Sequence, residues 1–190
     1  MNRHTKWNAL RFGALLTLAA LGLMAGCNTS TTNTTSPTTA ARADIINRAG
    51  RRIGTATFSE NTPGTVSMVV SVTGLPAGQH GIHFHMVGKA DTTQSFASAG
   101  EHFNPDMKQH GMQNPNGYHN GDLPNLVVDA QGVGKLETST NRITLGTGSK
   151  TVFDADGTAL IIHANADDQV TDPSGNSGGR IAAGVLTRSN

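Results

Sequence analysis

Residues 41–190 predict an all-β domain, an antiparallel sandwich or barrel. Short β-branched and apolar runs recur between turns rich in glycine and proline. No stretch sustains the 3.6-residue period of an amphipathic helix. Aromatic residues make up only 4% of the chain, which suits a core of Val, Ile, Leu and Ala.

The chain opens with a different kind of segment. Arg3, Lys6 and Arg11 form a basic start, and Phe12 to Ala25 is apolar but too short for a comfortable membrane span. Leu23-Met24-Ala25-Gly26-Cys27 places small residues before the only cysteine, the pattern of a bacterial lipoprotein cleavage site. Residues 1–26 are expected to be a signal peptide and Cys27 the lipidated N-terminus. The alternative is a plain signal peptide with an incidental cysteine, but a secreted chain seldom carries a lone thiol without a use. Residues 28–40 are Asn, Thr, Ser, Pro and Ala only, with nothing large to bury, and read as a flexible tether. A dozen such residues reach about 20 Å. The lipid would hold the chain to a membrane of the bacterial cell envelope, facing the periplasm or extracytoplasmic space. Without Arg3, Lys6 and Arg11, the mature chain has 11 basic residues against 13 acidic ones. That balance excludes a nucleic-acid partner.

Residues 41–190 are enough for one core. Arg52 to Phe58 is a weak strand run. Val66-Ser67-Met68-Val69-Val70-Ser71-Val72 alternates, placing Val66, Met68, Val70 and Val72 on one face. Gly74 to Gly78 is a turn. Gly81-Ile82-His83-Phe84-His85-Met86 reads as a strand with His83 and His85 on one face and Ile82, Phe84 and Met86 on the core face. Leu126–Val128 and Val133–Glu137 read as a hairpin, Ala159–His163 as a short buried strand, and Gly179–Leu186 as the last strand. Two long irregular segments, about 88–124 and 164–179, interrupt this pattern.

Function is concentrated in the first of them and its flanks. His80, His83, His85, His102, His110 and His119 are followed by Asp122, and His163 precedes Ala166-Asp167-Asp168. Histidines that dense beside carboxylates point to a metal centre. Metal ligands would also hold a loop too long to order itself cheaply.

These residues resemble the copper/zinc superoxide dismutases. The resemblance rests on Gly81–His85, Ser98–Pro105, His110-Gly111, Asn114-Pro115, His119–Leu123, His163 with Ala166–Asp168, and Ser174–Arg180, in that family's order and spacing. It implies a Greek-key sandwich or barrel of about eight strands carrying two long functional loops. Copper would take His83, His85, His102 and His163. Zinc would take His102, His110, His119 and Asp122, with His102 bridging the metals. Asp167 would link His83 and His110 from behind, and Arg180 would attract the anionic substrate. His80 is expected to pack or hydrogen-bond near the strand start. The implied reaction turns superoxide into oxygen and hydrogen peroxide by copper redox cycling, with a structural zinc. Monomer and homodimer both stay open.

The chain departs from the family in places. A disulfide usually joins the metal-binding loop to the last strand. Here Ala183 stands at one end and the other falls near Ala90, with no cysteine in 28–190. Met86 stands where glutamate is common and Glu101 where glycine is common. No Lys or Arg lies between His163 and Arg180, which weakens steering. A second reading is therefore a non-enzymatic, superoxide-dismutase-like copper/zinc-binding envelope protein. A metal-dependent hydrolase is a third, opposed by a zinc site with no open position.

Overall fold

A computed structural model describes residues 39–62 and 64–189. The expected signal peptide, Cys27 and residues 28–38 of the expected tether lie outside the described residues.

Among the described residues ten strands follow in order: β1 (Thr39–Asn47), β2 (Arg52–Thr62), β3 (Thr65–Thr73), β4 (Gly78–His80), β5 (Ile82–His85), β6 (Leu126–Val128), β7 (Val133–Thr140), β8 (Ala159–His163), β9 (Arg180–Val185) and β10 (Thr187–Ser189). They form one antiparallel sheet in the order β4-β6-β7-β3-β2-β1-β9-β8-β5, and β10 adds to β1. The end strands β4 and β5 are separated in sequence only by Gly81, so the sheet curls into a nearly closed barrel. The links from β3 to β4 and from β7 to β8 skip neighbouring strands, as Greek-key connections do. About eight strands were expected; the count rises to ten with the three-residue β4 and β10.

Alternation puts the apolar residues inside. Val66, Met68, Val70 and Val72 of β3 are all buried, and their neighbours face out or lie part-buried. Each such side chain contributes about 1.5–3 kcal/mol when buried. From β5, Ile82 and Phe84 enter the same core, where the Phe84 ring lies 5.8 Å from that of Phe58. Strand β8 is buried on both faces. Its Leu160 and Ile162 join the main core, while Ala159 and Ile161 join a smaller cluster with Phe96, Ala99 and Ala183.

Two expectations need correction. Strand β1 starts at Thr39, so Thr39 and Ala40 belong to the sheet rather than the tether, pairing with Glu60 and Ser59. Met86 is not a core residue and is 47% exposed. Strand β5 ends at His85, so the alternation that would have sent Met86 inward stops one residue short.

The fold positions the histidines by strand register. His83 and His85 pair with Ile161 and Ala159 of β8, and His163 at the end of β8 pairs with Arg180 of β9. The segment between β5 and β6 then folds back over β5. Phe84 N–H donates to Gly121 O at 3.0 Å, and Phe103 N–H donates to Phe84 O at 2.8 Å. Short bridges also join His83 to Asp122 and His85 to His102. The imidazole face of β5 is thereby covered by loop instead of solvent, and all four β5 residues are buried.

Candidate metal centre

Seven residues that the sequence singles out, His83, His85, His102, His110, His119, Asp122 and His163, come together and are all buried. Six of them fall into two overlapping groups, His83, His85, His102 and His163 in one and His83, His102, His110 and Asp122 in the other, and His119 lies beside the second.

In the first group, His83, His85, His102 and His163 bring ligand atoms within 4.8 Å of one another. Hydrogen bonds fix three of the tautomers. His85 Nδ1 lies 2.8 Å from Gly100 O, and His163 Nδ1 lies 3.0 Å from Gly178 O. A carbonyl only accepts, so both rings carry their hydrogen on Nδ1 and present a lone pair at Nε2. His83 is the reverse. Its Nε2 donates to Asp167 Oδ2 at 2.6 Å, leaving a lone pair at Nδ1. His83 Nδ1, His85 Nε2 and His163 Nε2 are all buried without a hydrogen-bond partner. Three such orphans in one fold are costly unless something electron-poor sits among them. Burial also keeps these rings neutral. It pushes His83 down to about 3 against the pull of Asp167, His163 down to about 4, and His85 well below its ordinary value. The His83–Asp167 contact is thus a hydrogen bond from a neutral ring rather than an ion pair.

The second group centres on Asp122. Its Oδ1 lies 3.2 Å from His102 Nδ1, 3.0 Å from His110 Nδ1 and 3.3 Å from His119 Nδ1. His102 Nδ1 and His119 Nδ1 are 3.3 Å apart. A tetrahedral zinc with bonds of about 2.0–2.1 Å has ligand–ligand edges of about 3.3 Å. The spacing therefore suits such an ion. The His83 ring also falls within 4.8 Å of His102, His110 and Asp122. Its Nε2 is held by Asp167, and His119 Nδ1 adds a further nitrogen 3.3 Å from Asp122 Oδ1.

Charge in this group is held tightly. Burial raises the Asp122 carboxyl, but bonds from His102, His110, His119 and Gly111 N–H outweigh it and hold the group well below the usual carboxylate range. Burial lowers His110, but Asp122 and Asp167 on either side overcome that and raise it to about 9. A zinc ion would displace the proton His110 otherwise keeps.

Asp167 lies between the groups, 2.6 Å from His83 Nε2 and 3.0 Å from His110 Nε2. Burial raises its carboxyl as well, and those two rings, with the Gln169 N–H, bring it below its ordinary range. Gly175 explains part of the Gly-rich run before β9. It adopts φ +63°, and a Cβ there would overlap the Asp167 carboxylate. Asp168 is exposed and caps its own loop, accepting from Val170 N–H at 3.0 Å and Thr171 N–H at 2.8 Å. His80 stands apart from both groups, buried, with its ring nitrogens 2.8 Å from His163 O and 2.8 Å from Pro76 O. Arg180 reaches back toward the first group. Its Nη2 donates to Gly100 O at 2.6 Å, the carbonyl that also holds His85.

A family model described as copper/zinc superoxide dismutase (SODC) matches residues 52–186. The chain belongs to this family. It is 40% identical over 145 residues to superoxide dismutase (Cu-Zn) 1 of Aquifex aeolicus, covering 76% of this chain and 85% of that one. It is also 40% identical over 148 residues to superoxide dismutase-like protein YojM of Bacillus subtilis, covering 77% and 75%. The crystal structure of a SOD-like protein from Bacillus subtilis superposes with a TM-score of 0.71 at 37% identity, covering 77% of this chain and 97% of that chain. Copper/zinc superoxide dismutases use copper and zinc, and the two side-chain groups here fit such metals.

Sequence reasoning missed several supports. Gly100 O and Gly178 O orient two rings, but a backbone acceptor leaves no mark in a sequence. Asn125 holds Asp167 from both sides, accepting its N–H at 2.8 Å and donating to its O at 2.8 Å. Asp172 accepts the His110 N–H at 2.6 Å.

Asp122→Ala is expected to remove one bound divalent ion per chain and lower zinc affinity by about 100-fold or more. Asp168→Ala should bind as the wild type does. Titration calorimetry with zinc checks both; equal uptake by the two variants would contradict the assignment of the second group.

Proposed function

We propose that this chain is a superoxide dismutase, converting two superoxide anions and two protons to oxygen and hydrogen peroxide. The observation that carries the reading is the trio of orphaned nitrogens on His83, His85 and His163, set beside an arginine that shares the Gly100 carbonyl with His85. Copper is assigned to His83, His85, His102 and His163, and zinc to His102, His110, His119 and Asp122. Bound copper would supply the one-electron redox change that zinc cannot.

The chain's own residues do the rest. Asp167, Gly100 O and Gly178 O fix which nitrogen of each ring is free, so the donor set is preorganised. With both metals bound, His102 would offer a ring nitrogen to each group, and its imidazole is the residue there that would hold or release a proton. Arg180 presents a permanently charged guanidinium to an arriving anion. The loop over β5 keeps bulk water away from the buried rings.

One observation favours a second reading, a superoxide-dismutase-like metal-binding protein without turnover. A cleft of about 530 Å³ beside His102 and His119 is lined by Glu101, Asp154, Asp156 and Asp172, against a single Lys108. Such a rim attracts cations better than superoxide. We also infer that Cys27 is lipidated and that residues 1–26 are removed, which places the domain in the bacterial envelope. That inference rests on the sequence pattern alone. Palmitate labelling of the expressed chain should be lost in Cys27→Ser; persistent labelling would refute the anchor.

Superoxide decay followed by stopped flow with the copper- and zinc-loaded chain tests the main reading. Catalysed decay is expected, reduced about 10-fold in Arg180→Ala at unchanged metal content, the low end for electrostatic steering, of which this enzyme family is a standing example. The acidic rim should hold the change to about twofold between 0.01 and 0.15 M ionic strength. Copper binding without decay above background would favour the second reading.

A further inference from the structure

We infer that Phe96 is the positioning residue for Arg180, holding the guanidinium in place through its own backbone carbonyl. This rests on the role proposed above for Arg180. The guanidinium makes two backbone contacts, donating from Nη1 to Phe96 O at 2.7 Å and from Nη2 to Gly100 O at 2.6 Å. Both acceptors lie in the long loop between β5 and β6, so the direction of Arg180 depends on how that loop is fixed. An anchored side chain fixes its own peptide, and with it the carbonyl that the peptide presents.

Phe96 is anchored in that way. Its ring is fully buried in the smaller apolar cluster, with Ala99 from the loop, Ala159 and Ile161 from β8, and Ala183 from β9. Ala90 packs on the edge of that cluster. The two positions that the family's usual disulfide would join, Ala183 and the neighbourhood of Ala90, thus meet around one phenylalanine. With no cysteine in residues 28–190, packing must do the joining.

The backbone at this point supports the same conclusion. Ser95 and Phe96 have φ +49° and +64°, the left-handed region that a bulky side chain seldom adopts. The conformation is held by Phe96 N–H donating to Asp91 O at 2.8 Å and by Ala99 N–H donating to Phe96 O at 3.1 Å. An unusual backbone kept at a fully buried aromatic points to a constraint set by its surroundings. What that constraint delivers is a carbonyl aimed at Arg180, three residues before Ala183 on the same strand. The aromatic ring therefore ties β9 to the loop at two places, by apolar contact at Ala183 and by hydrogen bond at Arg180.

Phe96→Gly is the informative variant, because glycine tolerates the left-handed backbone but removes the anchor. In the zinc-loaded chain, NMR should show Arg180 guanidinium hydrogens exchanging about 10-fold faster than in the wild type. In the copper- and zinc-loaded chain, azide should bind about 5-fold more weakly at unchanged metal content, while in an Arg180→Ala background the same change should alter azide affinity by less than about twofold. Phe96→Leu, which keeps an apolar anchor, should stay near wild type in all three. Unchanged exchange, equal azide losses in both backgrounds, or loss of fold or metals by Phe96→Gly would overturn the proposal and make Phe96 a general core residue. A wild-type chain without superoxide turnover would defeat the enzyme reading alone, since exchange and azide binding still test the placement of Arg180.

Discussion

Lone pairs that converge in a buried space repel one another, and the structure around them is arranged to need a cation. Three imidazole nitrogens meet without hydrogen-bond partners in one group, and three imidazoles crowd a carboxylate oxygen in the next. Taken alone, each orphaned nitrogen would cost about 1–3 kcal/mol. Metal binding turns that cost into folding free energy. The long loop between β5 and β6 depends on this most. It supplies His102, His110, His119 and Asp122 and has only two short 3₁₀ turns of its own. Metals, the lacing of Phe84 to Gly121 and Phe103, and the buried Phe96 hold it together.

Phe96 bears on how a member of this family can do without the usual cross-link. Burying a phenylalanine contributes up to about 3 kcal/mol. A disulfide typically contributes about 2–4 kcal/mol by constraining the unfolded chain. The two are close enough that one can offset the loss of the other. They differ in kind, however. A disulfide acts mainly on the unfolded state, whereas an apolar cluster acts in the folded state and can open locally. Loop and arginine placement here are then tied to how well Phe96, Ile161 and Ala183 pack.

Much of this was legible in the sequence because the relevant signals are periodic or chemically rare. The alternation in Val66–Val72 fixed which face of β3 is buried, and the His-x-His pair sent His83 and His85 to the face opposite Phe84. Asp167 could be placed behind His83 and His110 only through the family resemblance, since a lone loop carboxylate has no distinctive neighbours in sequence. Strand β1 was missed because Thr39 to Asn47 mixes alanines with Arg42, Asp44 and a terminal asparagine, a weak pattern that gains its structure from pairing with β2, β9 and β10. Met86 was misplaced because periodicity does not say where a strand stops. The carbonyls of Gly100, Gly178 and Phe96 do their work through backbone atoms that every residue has, so only tertiary structure reveals them.

The central claim is that two distinct metals meet at His102, each held by the atoms identified above. The most direct test is crystallography of the loaded chain with anomalous data on either side of the copper and zinc absorption edges. The account predicts a copper peak ringed by His83 Nδ1, His85 Nε2 and His163 Nε2. It predicts a separate zinc peak about 2.0–2.1 Å from His110 Nδ1, His119 Nδ1 and Asp122 Oδ1, with the His102 ring between the two. A single shared peak, or a zinc peak that leaves Asp122 without a metal, would contradict it.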